Sequence, residues 1–124
     1  MRFAPLHLLA AVPLLAIAAP ALAQDQEFQT VASVPIAQGD YQRAERLLTA
    51  EVRKHSTRPE LLLNLAAVYV YTGRAAEARA LYQRVMAQPE IVMDMPSGRE
   101  MGSHAIAQAG LRRLEARQET ARAD

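Results

Sequence analysis

The sequence has 124 residues, no cysteine and a formal net charge of +1, from 14 Lys+Arg and 13 Asp+Glu. This length suffices for one small domain with one core. The absence of cysteine excludes disulfide bridges and thiolate metal sites, and the near-neutral charge disfavours nucleic acid and anionic membranes as partners.

The N-terminus has the pattern of a secretory signal peptide. Arg2 precedes an apolar stretch at 8–18, and small residues surround Ala23, where we expect cleavage. The alternative is an uncleaved membrane anchor, but a spanning helix needs about 20 apolar residues and this stretch is shorter. The sequence therefore predicts signal peptide 1–23 and an exported protein, periplasmic or secreted, with no membrane association after cleavage.

Residues 24–35 are predicted to be a flexible or extended lead into the domain. At its end, residues 31–36 are mostly apolar and β-branched. Pro35 disfavours a helix that ends at this point. We expect an extended segment at 31–36. The alternative is a loop that covers the first helix.

Two helices are predicted to follow. Asp40 can cap the first, because its carboxylate accepts a hydrogen bond from a free N–H of the first turn, and this helix should end near Lys54. Pro59 sits at the first position of the second helix, over 60–71. The second helix is apolar around most of its circumference, so it must be covered on two sides.

After Gly73, which suits a helix C-terminus, a third helix is predicted over 75–87. The insert at 89–102 breaks the helical periodicity. Pro96 and Gly98 there fit a tight turn between two short apolar runs. We expect a small β-hairpin at 91–101, which segment 31–36 could join as a third strand, with an irregular loop as the alternative.

A fourth helix is predicted over 103–118. Ser103 is expected to cap it, and an apolar stripe follows at helical spacing. Beyond Gln118 the chain is charged and is expected to fray.

Five pairs of residues that lie 34 positions apart have matching chemistry. The pairs are Gly39 and Gly73, Ala44 and Ala78, Leu47 and Leu81, Leu48 and Tyr82, and Val52 and Met86. A 34-residue period is typical of stacked helical hairpins. The fold class is therefore predicted to be mainly α, with about four helices.

On these residues the chain resembles the tetratricopeptide repeat (TPR) family, in which antiparallel helix pairs recur every 34 residues, and we expect a small exported bacterial member. The resemblance places the helical domain at 36–121 and the best repeat at 59–89. No third unit keeps the period, because Ala107 and Arg112 stand where Gly73 and Ala78 would recur. The fourth helix is therefore interpreted as a cap. The repeat-signature packing residues are Gly39, Ala44, Leu65, Tyr69, Gly73, Ala78 and Tyr82.

The resemblance implies a non-enzymatic protein–protein interaction module of the bacterial envelope, with no cofactor and no metal. In the family the first helix of each pair lines the inner surface. The predicted partner-binding residues are Leu63, Asn64, Ala67, Val70 and Tyr71. The alternatives are that the fourth helix or the hairpin covers them, or that they, or a hairpin strand, pair two copies of the chain in a homodimer. Of the residues that bind a terminal carboxylate in some family members, only Asn64 is present.

The remaining polar residues offer little chemistry. His55 and His104 lie far apart without ligand spacing, so surface roles are expected. A nucleophile and base set could be drawn from Asp94, Ser97, Ser103 and His104, but no motif supplies an oxyanion pocket. Turn and capping roles explain these residues better.

Two further groups of residues are expected to have structural rather than functional roles. Arg112, Arg113 and Arg117 form a basic patch on the fourth helix, which we interpret as a solvated face. Methionines at 86, 93, 95 and 101 surround the predicted hairpin, and packing against the core is the expected role.

Overall fold

The computed structural model describes residues 36–95 and 97–124. The predicted signal peptide, the lead and segment 31–35 lie outside the described residues. Ile36, the last residue of the predicted extended segment, is helical.

Helix α1 spans Tyr41–Lys54 and begins as the sequence predicts. Asp40 is the N-cap, and its carboxylate accepts a 3.1 Å hydrogen bond from the Arg43 N–H. Gly39 has φ of +75°, a conformation that glycine adopts without steric cost. The chain therefore turns sharply into α1.

Helices α2 (Pro59–Tyr71) and α3 (Ala75–Met86) form an antiparallel hairpin. Pro59 stands at the first position of α2, where its missing N–H costs no hydrogen bond. The turn contains Gly73, with φ of +76°. This value repeats that of Gly39, so the two positions 34 residues apart serve the same turn.

The predicted hairpin is present. Strand β1 (Val92–Asp94) pairs antiparallel with β2 (Glu100–Gly102), and Met93 lies opposite Met101. Gly98 in the turn has φ of +77°, whereas Pro96 lies outside the described residues. The sheet has two strands within the described part of the chain.

Helix α4 spans Ser103–Ala123, and two predictions about it are wrong. Ser103 is not the cap, because Gly102 takes that position and the Ser103 hydroxyl accepts a hydrogen bond from the Ile91 N–H instead, at 3.1 Å. The chain does not fray after Gln118 but continues as helix to Ala123, since alanine, glutamate and arginine are good helix formers.

Helix α4 packs antiparallel to α3. At one end Arg79 of α3 donates a hydrogen bond to Gln118, and at the other the His104 ring lies 2.7 Å from the Gln88 carbonyl. Because α2 is also antiparallel to α3, helices α2 and α4 run in the same direction. They contact each other on one side of the domain.

One hydrophobic core joins all four helices. Its largest fully buried apolar side chains are Leu48, Leu62, Val68 and Val85. Met86 and Met93 pack against this core, as predicted, whereas Met95 and Met101 are half-buried and do not belong to it. No helix in the described ranges is both long enough and apolar enough to cross a bilayer.

Candidate functional site

The predicted partner-binding residues of α2 differ in exposure. Leu63 is only 6% exposed and belongs to the core, so it offers little to a partner. Asn64, Ala67 and Val70 are half-buried. Tyr71 is 64% exposed. The accessible part of the predicted surface is therefore the C-terminal half of α2.

Tyr71 is held in place although it is exposed. Its ring stacks on the ring of Tyr41 at the start of α1, with centroids 5.2 Å apart and planes 11° from parallel. Offset stacking of this kind is worth about 1 kcal/mol. Tyr71 thus presents a supported aromatic face rather than a freely rotating side chain.

A groove of about 430 Å³, which we call the α2–α4 groove, lies between the C-terminal parts of α2 and α4 and is lined by Val70, the chain neighbour of Tyr71. The start of α3 forms its floor. Its lining residues are Val70, Gly73, Ala75, Ala76, Arg79, Leu114, Arg117 and Gln118. Most of the floor is apolar. The two arginines of the lining come from different helices, Arg79 from α3 and Arg117 from α4.

The two sides of this groove are equivalent positions of the repeat. Ala66 of α2 and Gly110 of α4 are both buried small residues, 44 positions apart. The same offset relates Val70 to Leu114, which face each other across the groove. Helix α4 therefore occupies the place of the first helix of a third unit, shifted ten residues beyond the 34-residue period by the hairpin insert.

The 34-residue period does not predict this equivalence, because the hairpin insert shifts the third unit by ten residues. Gly110 is the residue in the sequence that indicates this equivalence. A Cβ built on Gly110 would overlap the ring of Tyr82, and the absent side chain allows α3 and α4 to approach closely. A small residue at the 44-residue offset from Ala66 could have indicated the third unit.

The charge at the groove is positive. Arg79 and Arg117 make no ion pair with a carboxylate among the described residues. The Arg79 guanidinium donates one 3.3 Å hydrogen bond to the Gln118 side chain. Arg112, Arg113 and Arg117, the basic patch predicted from sequence, are all exposed as expected, and Arg117 also lines the groove.

A second groove, of about 470 Å³, lies on the opposite side between α1 and α3. It carries both signs of charge, from Arg53, Arg84 and Glu77. The Arg84 guanidinium is already engaged with the Ser56 carbonyl at 2.8 Å. The lining of this groove therefore does not favour a partner of one particular charge.

Arg74 contacts residues of α1, α2 and α3 beside the second groove. Its guanidinium contacts Glu45 at 2.5 Å and Glu77 at 3.2 Å and lies 4.2 Å from the centre of the Tyr69 ring. The hydrogen bonds to Glu45 and then Glu77 raise the pKa of Arg74. The pKa of Glu77 is lowered, mainly because its carboxylate accepts a hydrogen bond from its own backbone N–H and secondly because it accepts one from Arg74. These exposed pairs orient the α2–α3 turn and contribute little stability.

No catalytic arrangement forms among the residues considered as nucleophile and base. The buried Ser103 hydroxyl is bonded to the Ile91 N–H, and His104 is bonded to the Gln88 carbonyl. Asp94 and Ser97 are exposed on the hairpin. Within the described residues, no group of three or more His, Asp or Glu side chains could hold a metal ion.

The comparison with known families agrees with this architecture. The sequence model of the tetratricopeptide repeat matches residues 36–89, which covers helices α1, α2 and α3. Over this span, a little under half of the chain, the sequence is similar to the tetratricopeptide repeat family. No curated protein and no solved structure matches the chain.

Tetratricopeptide repeats commonly serve as protein–protein interaction scaffolds. The matched span ends at Pro89, so it includes Val70 and Tyr71 but not the α4 side of the groove. The assignment of α4 to a third unit therefore depends on the structure and not on the family match.

Proposed function

We propose that this protein is a non-enzymatic interaction module that binds another protein on the surface formed by Tyr71 and the α2–α4 groove. The observation that carries the proposal is the exposure of Tyr71 beside a mostly apolar groove. An exposed aromatic side chain beside an apolar groove is the kind of surface that protein–protein interfaces use.

The form of the site supports a protein partner. Aromatic residues are enriched where proteins bind one another, and Tyr71 needs little ordering on binding because Tyr41 already supports its ring. The groove runs between two parallel helices, which gives room for an extended segment or a helix of the partner. Helices that carry the site are more rigid than loops would be.

We further propose that the protein is exported and acts in the bacterial envelope. The support is the pattern of residues 1–23, with one early charge, a short apolar stretch and small residues before Gln24. Mass spectrometry of the protein isolated from its own cells tests this, and an N-terminus at Gln24 is the expected result.

The alternative is a homodimer. It is favoured by a second exposed apolar residue, Val92, which is 70% exposed on strand β1. An exposed strand edge can pair with the same strand of another copy. Light scattering over a range of concentrations distinguishes the two, since a dimer gains mass with concentration and the interaction module does not.

The direct test is photo-crosslinking in the cells that make the protein. A photoreactive phenylalanine analogue replaces Tyr71 in one variant and the exposed Gln83 of α3 in a matched control. We expect an adduct with a different protein at position 71 and none at position 83. Adducts that contain two copies of this chain would favour the homodimer, and equal yields at both positions would refute the site.

A further inference from the structure

We propose that the α2–α4 groove recognises an acidic, extended segment of the partner protein. An apolar side chain of that segment packs between Val70 and Leu114, and its carboxylates pair with Arg79 and Arg117. This inference rests on the proposed function and specifies the chemistry of the partner.

The first support is the charge of the groove lining. Arg79 and Arg117 both line the groove, and no acidic residue does. Glu115 and Glu119 are close to Arg117 in sequence, but two positions along a helix rotate a side chain by about 200°. Neither of them lines the groove, so its lining carries positive charge although the whole chain is near neutral.

The second support is that these arginines have binding capacity left. Arg79 uses one N–H for Gln118, and within the described residues Arg117 makes no hydrogen bond or ion pair. A guanidinium has five N–H donors in a planar fork that fits a carboxylate. Because the two arginines come from α3 and α4, they can hold two carboxylates of one segment or grip one from both sides.

The start of α3 adds to the same preference. Its N-cap, Arg74, makes no side-chain capping hydrogen bond. Ala75 and Ala76, the first residues of the helix, line the groove. The first N–H groups of a helix lack intrahelical partners and carry partial positive charge, so they complement the arginines.

The size of the groove limits what can enter. A volume of about 430 Å³ lies in the lower part of the range of roughly 300–1,000 Å³ that is usual for small-ligand pockets. A few residues of an extended chain fit such a space, whereas a folded domain would contact only its rim.

The test is an NMR titration of isotope-labelled protein expressed from the full sequence. The probes are two sets of octapeptides, each peptide with one central leucine, which differ only in carrying Asp and Glu or Asn and Gln. We expect the acidic set to shift the backbone amides of Gly73, Ala75 and Ala76, and to bind at least tenfold more tightly than the amide set. Rising salt should weaken this binding, because the contact is ionic.

Variants assign the effect to the two arginines. Arg79→Gln with Arg117→Gln should weaken binding of the acidic set tenfold or more, since hydrogen bonds to charged groups contribute more than neutral ones. The matched control is Arg43→Gln with Arg46→Gln, which removes two exposed arginines of α1 and should leave binding unchanged. Circular dichroism verifies that both double variants fold.

The outcomes separate this inference from the proposed function. Equal binding of both peptide sets in the groove would refute the acidic preference and leave the proposed function standing. Shifts on another face, or an equal loss in the control variant, would also refute it. If neither set perturbs the groove, the acidic segment is wrong, and the crosslinking yield at position 71 decides separately whether the groove binds protein at all.

Discussion

The molecule contains two junctions between repeat units, and they are built alike although the chain connects them differently. At the first junction α1 packs on α2, and residues 55–58 link them. At the second junction α3 packs on α4, and residues 87–102 link them through the hairpin. Helix packing therefore follows the surfaces that meet and does not require a constant spacing in sequence.

The residues at the two junctions differ in size in a compensating way. Leu48 of α1 and Ala66 of α2 are fully buried, and the 34- and 44-residue offsets relate them to Tyr82 and Gly110. Tyr82 and Gly110 occupy the corresponding positions of the second junction. A larger side chain on one helix is matched by a smaller residue on the other, as close packing requires.

The largest expected effect is at the first junction. Leu48→Ala should lower the free energy of unfolding by about 3 kcal/mol, because it removes buried methyl groups and leaves a cavity. Leu47→Ala, at a half-buried neighbouring position, should cost about 1 kcal/mol by the same rule scaled to its exposure. Urea denaturation followed by circular dichroism measures both. Equal losses would mean that the first junction is loosely packed.

A smaller loss is expected from Gly110→Ala at the second junction. The added Cβ would overlap the Tyr82 ring, so we expect a loss of about 2 kcal/mol from overpacking, although alanine in an open helix would gain about 1 kcal/mol over glycine. The same denaturation measurement applies. A gain in stability would show that α3 and α4 can separate at no cost.

The double variant Tyr82→Leu with Gly110→Ala tests the equivalence of the junctions directly. It places the residue pair of the first junction at the second. We expect it to be more stable than Gly110→Ala alone, because the two changes compensate each other in volume and are coupled by contact. Additive losses would contradict the equivalence.

The junction with the hairpin also has a buried polar contact, between the Ser103 hydroxyl and the Ile91 N–H. Ser103→Ala should cost about 1.5 kcal/mol, because the hydroxyl is buried and its loss leaves the Ile91 N–H without that partner. The control Ser97→Ala, in the exposed turn, should cost less than about 0.5 kcal/mol. Hydrogen exchange at the Ile91 amide should accelerate in the first variant only.

Local chemistry made the first three helices and the hairpin predictable. Asp40, Pro59 and Gly73 mark helix boundaries by their capping and backbone preferences, and Gly98 marks the hairpin turn. These signals act over a few residues, so they survive without knowledge of the tertiary structure.

The second junction and the groove depend on tertiary contacts, and sequence reasoning missed them for that reason. The role of Gly110 follows only once Tyr82 is known to lie against it. Ser103 has the composition of a cap, yet its hydroxyl faces the Ile91 backbone from a different element. Arg117 is exposed, as predicted, but its position at the groove depends on where α2 and α3 lie beside α4.

The smallest expected effect is a pH dependence at the second junction. Burial raises the pKa of the Tyr82 hydroxyl, and the nearby Arg113 offsets part of that increase. An unperturbed tyrosine ionises near pH 10. Below about pH 9 the phenol is protonated in both states and contributes no pH dependence.

Above about pH 10 the unfolded chain loses this proton first, so the folded state binds more protons and the free energy of unfolding falls as pH rises. Tyr82→Phe removes the group that titrates while keeping the ring against Gly110. The stability of the parent protein relative to this variant should therefore decline between about pH 9 and pH 11, which paired urea denaturation curves measure. A constant difference over that range would show that the hydroxyl reaches water freely and that the ring alone fills the second junction.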